Sequence, residues 1–511
     1  MTDLIRKCTL LATAALAVAG LAAGQDKPGR LEITVLDKPD GQPIPCRVHL
    51  KDAAGKPQRA DKLPFWFDHF VCPGTVTLEL PPGKYTIEIE RGPEYESHAD
   101  SLSLETGGAK KINAVLKRLA DLPAEGWWPG DLHVHRPVGD IELLMRAEDL
   151  HIAPVITWWN NRNEWAKKDL PADPLVKFDR DRYYHVMAGE DEREGGALLY
   201  FHLTKPLDIT GASREYPSPL KFVEEARKTK DVWIDVEKPF WWDVPAWVAS
   251  GQVNSIGLAN NHMCRDRMYE NEAWGKPRVV ERLPAPLGTG YWTQEIYYHL
   301  LNCGLRIPPS AGGASGVLPN PVGYDRVYVH VDRELTWEKW WAGLRAGRSF
   351  VTNGPLLRVR AGGELPGHVF AGTGAKEMGI EIKAELVTRD KIRFLEVIKD
   401  GEVERKVAYD DFVRTGSLGT VRFKSSGWFL IRAIADNPKT FRFASTAPYY
   451  VEFGDPKRRV SKASGKFFLD WSRERAGRVK VDDPDQRREV LKHHEAAEKF
   501  WKDVLEKANA D

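Results

Sequence analysis

Two histidines placed two residues apart, His133 and His135, are the clearest sign of chemistry in this chain. They lie in residues 132–135, a short apolar stretch that predicts a strand. Side chains at positions i and i+2 of a strand leave the same face, so both imidazoles would point to one place. Such a pair suits a divalent ion of zinc, manganese or iron. The pair alone is weak evidence, because a chain with 14 histidines often contains this spacing by chance.

Polar residues at the ends of later predicted strands strengthen the metal hypothesis. These residues are Glu190 and Asp191 after strand 183–188, Glu237 and Lys238 after strand 232–236, and His262 after strand 254–259. Strands that alternate with helices predict a parallel sheet, and an α/β barrel gathers such strand ends around one mouth. Oxygen and nitrogen ligands in one set fit zinc, manganese or iron better than calcium.

The elements that would position these residues divide the chain into consecutive segments. Residues 1–24 have a charged start, an apolar run and small residues before a polar stretch, which is typical of a signal peptide. Residues 25–122 and 357–470 contain short alternating strands, which predict β-sandwich domains. Residues 123–356 alternate strands with helices, and residues 471–511 predict a helical tail whose apolar stripe packs on the body.

Composition and export limit the possible partners. The chain has 74 basic and 73 acidic residues, and this balance does not suggest a nucleic-acid surface. No segment after the signal peptide is apolar enough for a stable membrane span, so we expect an exported protein in the periplasm, at the cell surface or outside the cell. Export permits disulfides, and Cys46 and Cys72 fall in one predicted domain, but their connectivity stays open. The oligomeric state also stays open.

The middle segment resembles the PHP (polymerase and histidinol phosphatase) domains, most closely their CehA/McbA-like exported branch. His133, His135 and Asp140 match that family's opening motif, and "LRAGRSFVTNGPLL" (344–357) looks like the close of its barrel. The stretch "ELPPGKYTIEIERGPEY" in the first β-domain resembles the small sandwich found beside carboxypeptidases. The PHP resemblance implies a distorted (β/α)7 barrel. The whole chain would then be an α/β plus all-β protein, with its barrel flanked by N- and C-terminal β-sandwiches.

The chain departs from the ligand pattern of that family at several positions. They are Thr157-Trp158-Trp159-Asn160, Glu237-Lys238-Pro239 and the segment from Ser310 to Gly316. The resemblance therefore implies one ion rather than a three-metal cluster. Its expected ligands are His133, His135, Asp140, an acid of the Glu190–Asp191 pair, Glu237 and His262. In the strict register of the family, Asp191 rather than Glu190 takes the ligand position.

The implied activity is hydrolysis of an ester, carbamate, amide or phosphoester. An ion of this kind lowers the pKa of bound water to about 7 and so supplies a nucleophile. A carboxylate that is not committed to the ion, Glu190 or Asp191, could move the proton. Lys238 could replace a lost cation beside a carboxylate or a substrate anion, and a solvated surface lysine is the alternative.

Aromatic side chains are candidates for contact with a small-molecule or glycan substrate. Trp158, Trp159, Trp241 and Trp242 occupy positions where the family has ligands, and His299 lies on a helix before a later strand-end loop. Packing in the core is the alternative for each of them. Two functions result: an exported metal-dependent hydrolase, or a catalytically degenerate barrel that binds a glycan or a protein. A surface module that acts as a spacer is a third possibility.

Overall fold

The computed structural model describes residues 27–372 and 376–511, so the predicted signal peptide lies outside the described residues. Strands account for 37% of the described residues and helices for 20%. The candidate metal ligands therefore lie in a mostly β structure.

The first region is a β-sandwich. A three-stranded sheet in the order β5-β1-β8 faces a five-stranded sheet in the order β3-β4-β2-β6-β7, and one apolar core lies between them. Its strands are β1 (Gly29–Asp37), β2 (Cys46–Asp52), β3 (Phe65–Trp66), β4 (His69–Cys72), β5 (Thr75–Leu80), β6 (Gly83–Glu90), β7 (His98–Leu104) and β8 (Ala109–Leu116). Cys46 and Cys72 lie directly opposite each other on β2 and β4, and both are free thiols in the structure.

The central region carries the predicted site residues. Its strands are β9 (Trp127–Gly130), β10 (Ile152–Trp159), β11 (Arg162–Asn163), β12 (Leu175–Phe178), β13 (Arg182–Arg193), β14 (Gly196–Phe201), β15 (Trp233–Val236), β16 (Ser255–Asn260), β17 (Pro309–Gly312), β18 (Arg326–His330) and β19 (Ser349–Thr352). Its helices are α1 (Ile141–Ala147), α2 (Pro219–Ala226), α3 (Val244–Ala249), α4 (Gly288–Asn302) and α5 (Trp337–Arg345), with short 3-10 turns at Pro123–Glu125 and Val138–Asp140.

The prediction of an α/β fold with a (β/α)7 barrel is wrong. Among the described central strands, parallel pairing is confined to β9-β10-β13 and β15-β16-β17. The run β12-β13-β14-β15 is antiparallel, and β18 pairs antiparallel with both β9 and β19. The sheet also continues past residue 356, because β19 pairs with a strand of the C-terminal region. The physical reason is the tight two-residue turn at Glu194-Gly195, between the paired residues Arg193 and Gly196, which makes a hairpin where a βαβ crossover was expected.

The C-terminal region is a second sandwich joined to the central sheet. Its elements are β20 (Leu356–Ala361), β21 (Val369–Ala371), β22 (Met378–Val387), β23 (Ile392–Lys399), β24 (Glu402–Ala408), α6 (Tyr409–Thr415), β25 (Ser417–Phe423), β26 (Gly427–Ala435), β27 (Phe443–Thr446) and β28 (Tyr449–Glu452). The small sheet β20-β22-β25 shares an apolar core with β23, β26, β27 and β28. The strand that continues the central sheet is β27.

Two helices end the chain and pack on the central region. They are α7 (Lys462–Arg478) and α8 (Pro484–Glu506), so the helical tail begins before the predicted residue 471. Asp483 caps α8 by accepting hydrogen bonds from two backbone amides. Trp501 is fully buried, and its Nε1 donates to the carbonyl of Pro245 at 3.0 Å. The prediction that the apolar stripe of the tail packs on the body is therefore confirmed.

The core of the central region also includes Trp428 and Phe443 from the second sandwich.

None of the helices in the described part of the chain is both long enough and apolar enough to cross a bilayer.

A buried neutral histidine in β13 predicts acid sensitivity. His185 stacks on Trp337 with 5.8 Å between ring centroids, and the backbone amide of Met187 donates to its Nδ1 at 3.3 Å. Burial lowers the pKa of His185 to about 3. The unfolded chain takes up this proton near pH 6.5. The stability contributed by neutral His185 is therefore present above that pH and lost as the pH falls towards 3, at about 1.4 kcal/mol per pH unit.

We expect the variant His185→Gln to lose less stability on acidification than the wild type. The measurement is urea unfolding from about pH 7 to about pH 5. The control His368→Gln removes a half-exposed imidazole and so tests whether the effect depends on burial. An unchanged slope in His185→Gln would contradict the assignment.

Candidate metal centre

The segment with His133 and His135 is extended and lies between β10 and β17. Four backbone hydrogen bonds hold it: Asp131 N to Ile152 O (3.1 Å), Ile156 N to Val134 O (2.8 Å), Leu132 N to Ala311 O (3.0 Å) and His135 N to Ser315 O (2.8 Å). The predicted strand 132–135 is present only as isolated bridges at Val134, because β9 ends at Gly130. The extended backbone still sends both imidazoles to one side, as predicted.

Three ligand atoms meet at this point. His133 Nε2 lies 3.0 Å from His135 Nε2 and 3.5 Å from Glu190 Oε2, and His135 Nε2 lies 3.1 Å from the same carboxylate oxygen. Zinc bonds of 2.0–2.2 Å in a tetrahedron place ligand atoms about 3.3–3.6 Å apart. The three side chains are between 3% and 8% exposed. The arrangement therefore needs shifts of only a few tenths of an ångström to hold one ion.

Glu237 contacts the other nitrogen of His133. Its Oε1 lies 3.5 Å from His133 Nδ1, on the side of the ring away from Glu190. Glu237 also accepts hydrogen bonds from Lys238 Nζ at 2.6 Å and from Trp241 Nε1 at 2.8 Å. A carboxylate on the second nitrogen of a ligating histidine fixes the tautomer and the orientation of the ring. The predicted ligand Glu237 is thus placed to orient His133.

Opposite charges compensate one another inside the cluster. Burial would lower the pKa of His133, but Glu190 and Glu237 together raise it to about 10. Burial would raise the pKa of Glu190, but the two histidines hold it well below its usual range. Lys238 and His133 likewise hold the pKa of Glu237 at about 2 against its burial. The negative charges of Glu190 and Glu237 therefore balance the positive charges of His133 and Lys238.

His262 lies beside this cluster but outside the group of three ligand atoms. Its Nδ1 is 3.1 Å from the carbonyl of Asn271, and its ring lies against Phe240 and Tyr269. Burial and the neighbouring charge of Lys238 lower its pKa to about 3. His262 is therefore uncharged, and Lys238 and Glu237 are its charged neighbours.

Asp191 and Asp140 are not brought to the cluster. Asp191 forms two bonds with the guanidinium of Arg193, at 2.5 and 2.7 Å. Successive side chains of a strand point to opposite faces, so Asp191 leaves β13 on the face opposite to Glu190. Asp140 is half-exposed beside the first turn of α1, and its carboxylate lies 3.9 Å from Arg136 Nη2. Glu190, not Asp191, is thus the acid that the structure offers as a ligand.

Of the tryptophans predicted to contact substrate, Trp159 lies at the edge of the cluster and the others are packed in the core. Trp159 is half-buried, with 5.1 Å between its ring centroid and that of His135, so it borders the cluster. Trp241 is 1% exposed and holds Glu237. Trp158 is buried directly against Gly189, where an added Cβ would lie 1.8 Å from the indole.

The other two candidates face the helical tail. Trp242 packs edge-on against Trp471 of α7. The ring of His299 stacks on Phe467 with 4.3 Å between centroids, and its Nδ1 lies 2.9 Å from Ser464 Oγ. Both side chains therefore help to dock α7, and the structure does not place them at the cluster.

Glu192 is a site residue that the sequence reasoning did not select. It lies two residues after Glu190 on β13 and therefore on the same face. Burial and the charge of Glu190 raise its pKa to about 7. Its carboxylate forms no hydrogen bond with another described side chain, while its backbone is fixed by Asn160 at 2.8 Å. The alternation in Gly189-Glu190-Asp191-Glu192 was the signal that could have identified it.

The glycine-rich segment after β17 leaves room for the histidines. A Cβ at Gly312 would lie 2.4 Å from the Cβ of His133, whereas one at Gly313 would approach nothing closer than 3.3 Å. We expect Gly312→Ala to displace His133 and to weaken zinc binding about 10–100-fold, the range seen for residues that orient ligands. Gly313→Ala is the matched control, and its zinc affinity should fall much less. Competition with a chromogenic chelator measures both, and equal losses would contradict this assignment.

The comparisons with known proteins identify no family. No protein-family model matches the chain, and no curated protein sequence matches it. Similar solved structures include the minor pilin GBS52 of Streptococcus agalactiae (14% identity, 19% of this chain and 46% of that chain, TM-score 0.16). They also include the Bacillus anthracis TIE protein (22% identity, 22% and 20% coverage, TM-score 0.15). A third is the pilus-presented adhesin Spy0125 (Cpa) (14% identity, 18% and 27% coverage, TM-score 0.14).

This chain spans less than half of each of those proteins. TM-scores this low carry no argument about fold or function. Membership of the PHP superfamily therefore stays a prediction that rests on the opening motif and on the segment 344–357.

Proposed function

We propose that the protein is a metal-dependent hydrolase with one divalent ion held by His133, His135 and Glu190. The proposal rests on one observation, the separations of 3.0, 3.1 and 3.5 Å among the three ligand atoms. Three protein ligands with a fourth position left open are typical of catalytic zinc sites, whereas structural sites have four protein ligands. The resemblance of the opening motif to the PHP domains points to the same chemistry.

The surrounding residues have distinct tasks in this proposal. A bound ion of the zinc type polarises the substrate and lowers the pKa of water to about 7. Glu237 holds the ring of His133 in place through Nδ1, and Lys238 keeps Glu237 in position at 2.6 Å. Lys238 Nζ also lies 4.6 Å from the centre of the Trp241 ring, so both Glu237 and this ring stabilise its charge.

Glu192 is the carboxylate placed to move a proton. It shares a face of β13 with Glu190 and is free of side-chain hydrogen bonds within the described structure. A general base must reach the nucleophile and must not be committed to another partner. Asp191 does not meet this requirement, because both of its oxygens are bound by Arg193.

The substrate class that we propose is a small molecule or a glycan with an ester, carbamate, amide or phosphoester bond. Access to the cluster lies over His135, whose side chain is 8% exposed, and past the ring of Trp159. An aromatic wall beside the reacting centre favours an aryl group or a sugar ring as one part of that substrate.

The test is a hydrolysis screen with zinc-loaded protein against 4-nitrophenyl esters, carbamates, anilides and phosphoesters. Glu190→Gln should lower kcat/KM for any active substrate by at least about a hundredfold, because it removes a ligand. The matched control is Glu194→Gln, which changes a half-buried carboxylate paired with Arg214 at 2.9 Å. Hydrolysis that survives in Glu190→Gln would refute the proposed site. Metal binding without any hydrolysis would favour a glycan- or protein-binding module and lead to glycan arrays.

A further inference from the structure

A small cavity lies where the first sandwich, the central region and the second sandwich meet. Its volume is about 20 Å³, which is room for roughly one atom of the size of a water oxygen. Five arginines line it: Arg47, Arg265, Arg326, Arg389 and Arg442. Glu90 and Glu148 are the acidic residues of the lining.

Carboxylates compensate most of this positive charge but not all of it. Glu90 contacts Arg47 at 2.5 Å, Arg265 at 2.9 Å and Arg389 at 3.1 Å. Glu148 contacts Arg47 as well. Outside the lining, Glu88 pairs with Arg265 at 2.7 Å and Asp390 pairs with Arg442 at 3.2 Å. Five guanidinium groups against these four carboxylates leave one positive charge.

Arg326 is the guanidinium that has no carboxylate partner. It is 1% exposed, and its Nη atoms donate to the carbonyl of Glu148 at 3.2 Å while its Nε donates to the carbonyl of Gly323. Its Nη1 also lies 3.5 Å from the Tyr328 hydroxyl, so only neutral dipoles contact this buried charge, which is costly. A monovalent anion nearby would offset that cost.

Unpartnered donors line the same cavity. Arg442 Nε, Arg389 Nη1 and the hydroxyl of Tyr324 are buried and have no hydrogen-bond partner within the described structure. Arg389 Nη1 approaches Glu90 Oε1 at 3.1 Å, but without the alignment of a hydrogen bond. Each of these groups can donate, and the two guanidinium nitrogens cannot accept. Asp390 Oδ2 also has no hydrogen-bond partner within the described structure, but Asp390 lies outside the lining, so the partner missing inside the cavity is an acceptor of hydrogen bonds.

We propose that this cavity binds one halide-sized monovalent anion, such as chloride, between the three regions. Its size excludes a phosphate or a carboxylate ligand, its charge excludes a metal ion, and its excess of donors favours an anion over water. The bound anion would contact both Arg442 of the second sandwich and Arg326 of the central region and so link the two regions. This site is separate from the candidate metal centre and does not depend on the proposed hydrolysis.

Anomalous diffraction from crystals of the full mature chain in sodium bromide tests the proposal directly. We expect a bromide peak in the cavity, within about 3.5 Å of Arg442 Nε and of the Tyr324 hydroxyl. A cavity that holds only water, or that is empty while bromide binds elsewhere, would overturn the proposal.

Thermal unfolding in sodium chloride and in sodium gluconate at equal ionic strength is the second measurement. Chloride should raise the midpoint by about 1–2 °C, with saturation, because it binds only the folded chain. Arg442→Gln should abolish this difference, and the exposed Arg393→Gln should keep it. Equal wild-type midpoints in the two salts would count against the site. If Arg442→Gln does not fold, the bromide experiment on the wild type decides.

Discussion

The variant His133→Ala/His135→Ala should retain no stoichiometric metal, whereas the wild type should hold about one equivalent of zinc, manganese or iron. The double substitution removes two of the three atoms that meet within 3.5 Å, and Glu190 alone cannot hold such an ion. Elemental mass spectrometry on protein lacking residues 1–24, purified without added metal or chelator, measures the difference.

His299→Gln is the matched control for this experiment. It removes an imidazole of the same region that contacts Ser464 and Phe467 and lies away from the cluster. Its metal content should equal that of the wild type. Equal metal in the double variant and the wild type would exclude the site. A wild type that stays metal-free after reconstitution would exclude the hydrolase.

Loss of Arg475 should destabilise the folded chain by about 3–5 kcal/mol, because two buried carboxylates would lose the guanidinium that pairs with them. Arg475 is on α7, and its side chain is 3% exposed. It binds Glu215 at 2.5 Å and Asp243, beside the start of α3, at 2.6 Å. We therefore expect Arg475→Met to lower the free energy of unfolding in urea and to loosen the tail first.

Arg473→Met tests whether this effect depends on burial. Arg473 lies on the same helix, is 50% exposed and pairs with Glu498 at 2.9 Å. Exposed pairs of this kind contribute about 1 kcal/mol or less. Adding Glu215→Gln and Asp243→Asn to Arg475→Met should recover part of the lost stability, since it removes the orphaned charges. Similar losses in Arg475→Met and Arg473→Met would show that the buried ion pairs do not hold the tail.

Part of the candidate site could be predicted from local patterns. His133 and His135 share a face because their separation is two residues in extended backbone, and that rule needs no tertiary information. The choice between Glu190 and Asp191 could not be made this way. A neighbouring pair always places one side chain on each face, and only the pairing of β13 with β10 and β14 determines which face meets the histidines.

The fold class was harder to predict for a related reason. Alternation in β1 was readable because only one face of the sandwich sheet is buried. β14 is buried at all six positions, so its sequence has no period that distinguishes a strand in a hairpin from one in a parallel sheet. The hairpin turns at Glu194-Gly195, and the pair Gly195-Gly196 was a turn signal that the apparent alternation of strands and helices obscured.

The shared core of the central region has a consequence for biosynthesis. Trp428, Phe443 and Trp501 complete a core whose other members begin at Trp128. A nascent chain that has been synthesised to residue 356 therefore presents apolar surface that its own later residues must cover. The central region can finish folding only after the last helix has left the ribosome, so its early intermediates need protection from aggregation during the synthesis of more than a hundred further residues.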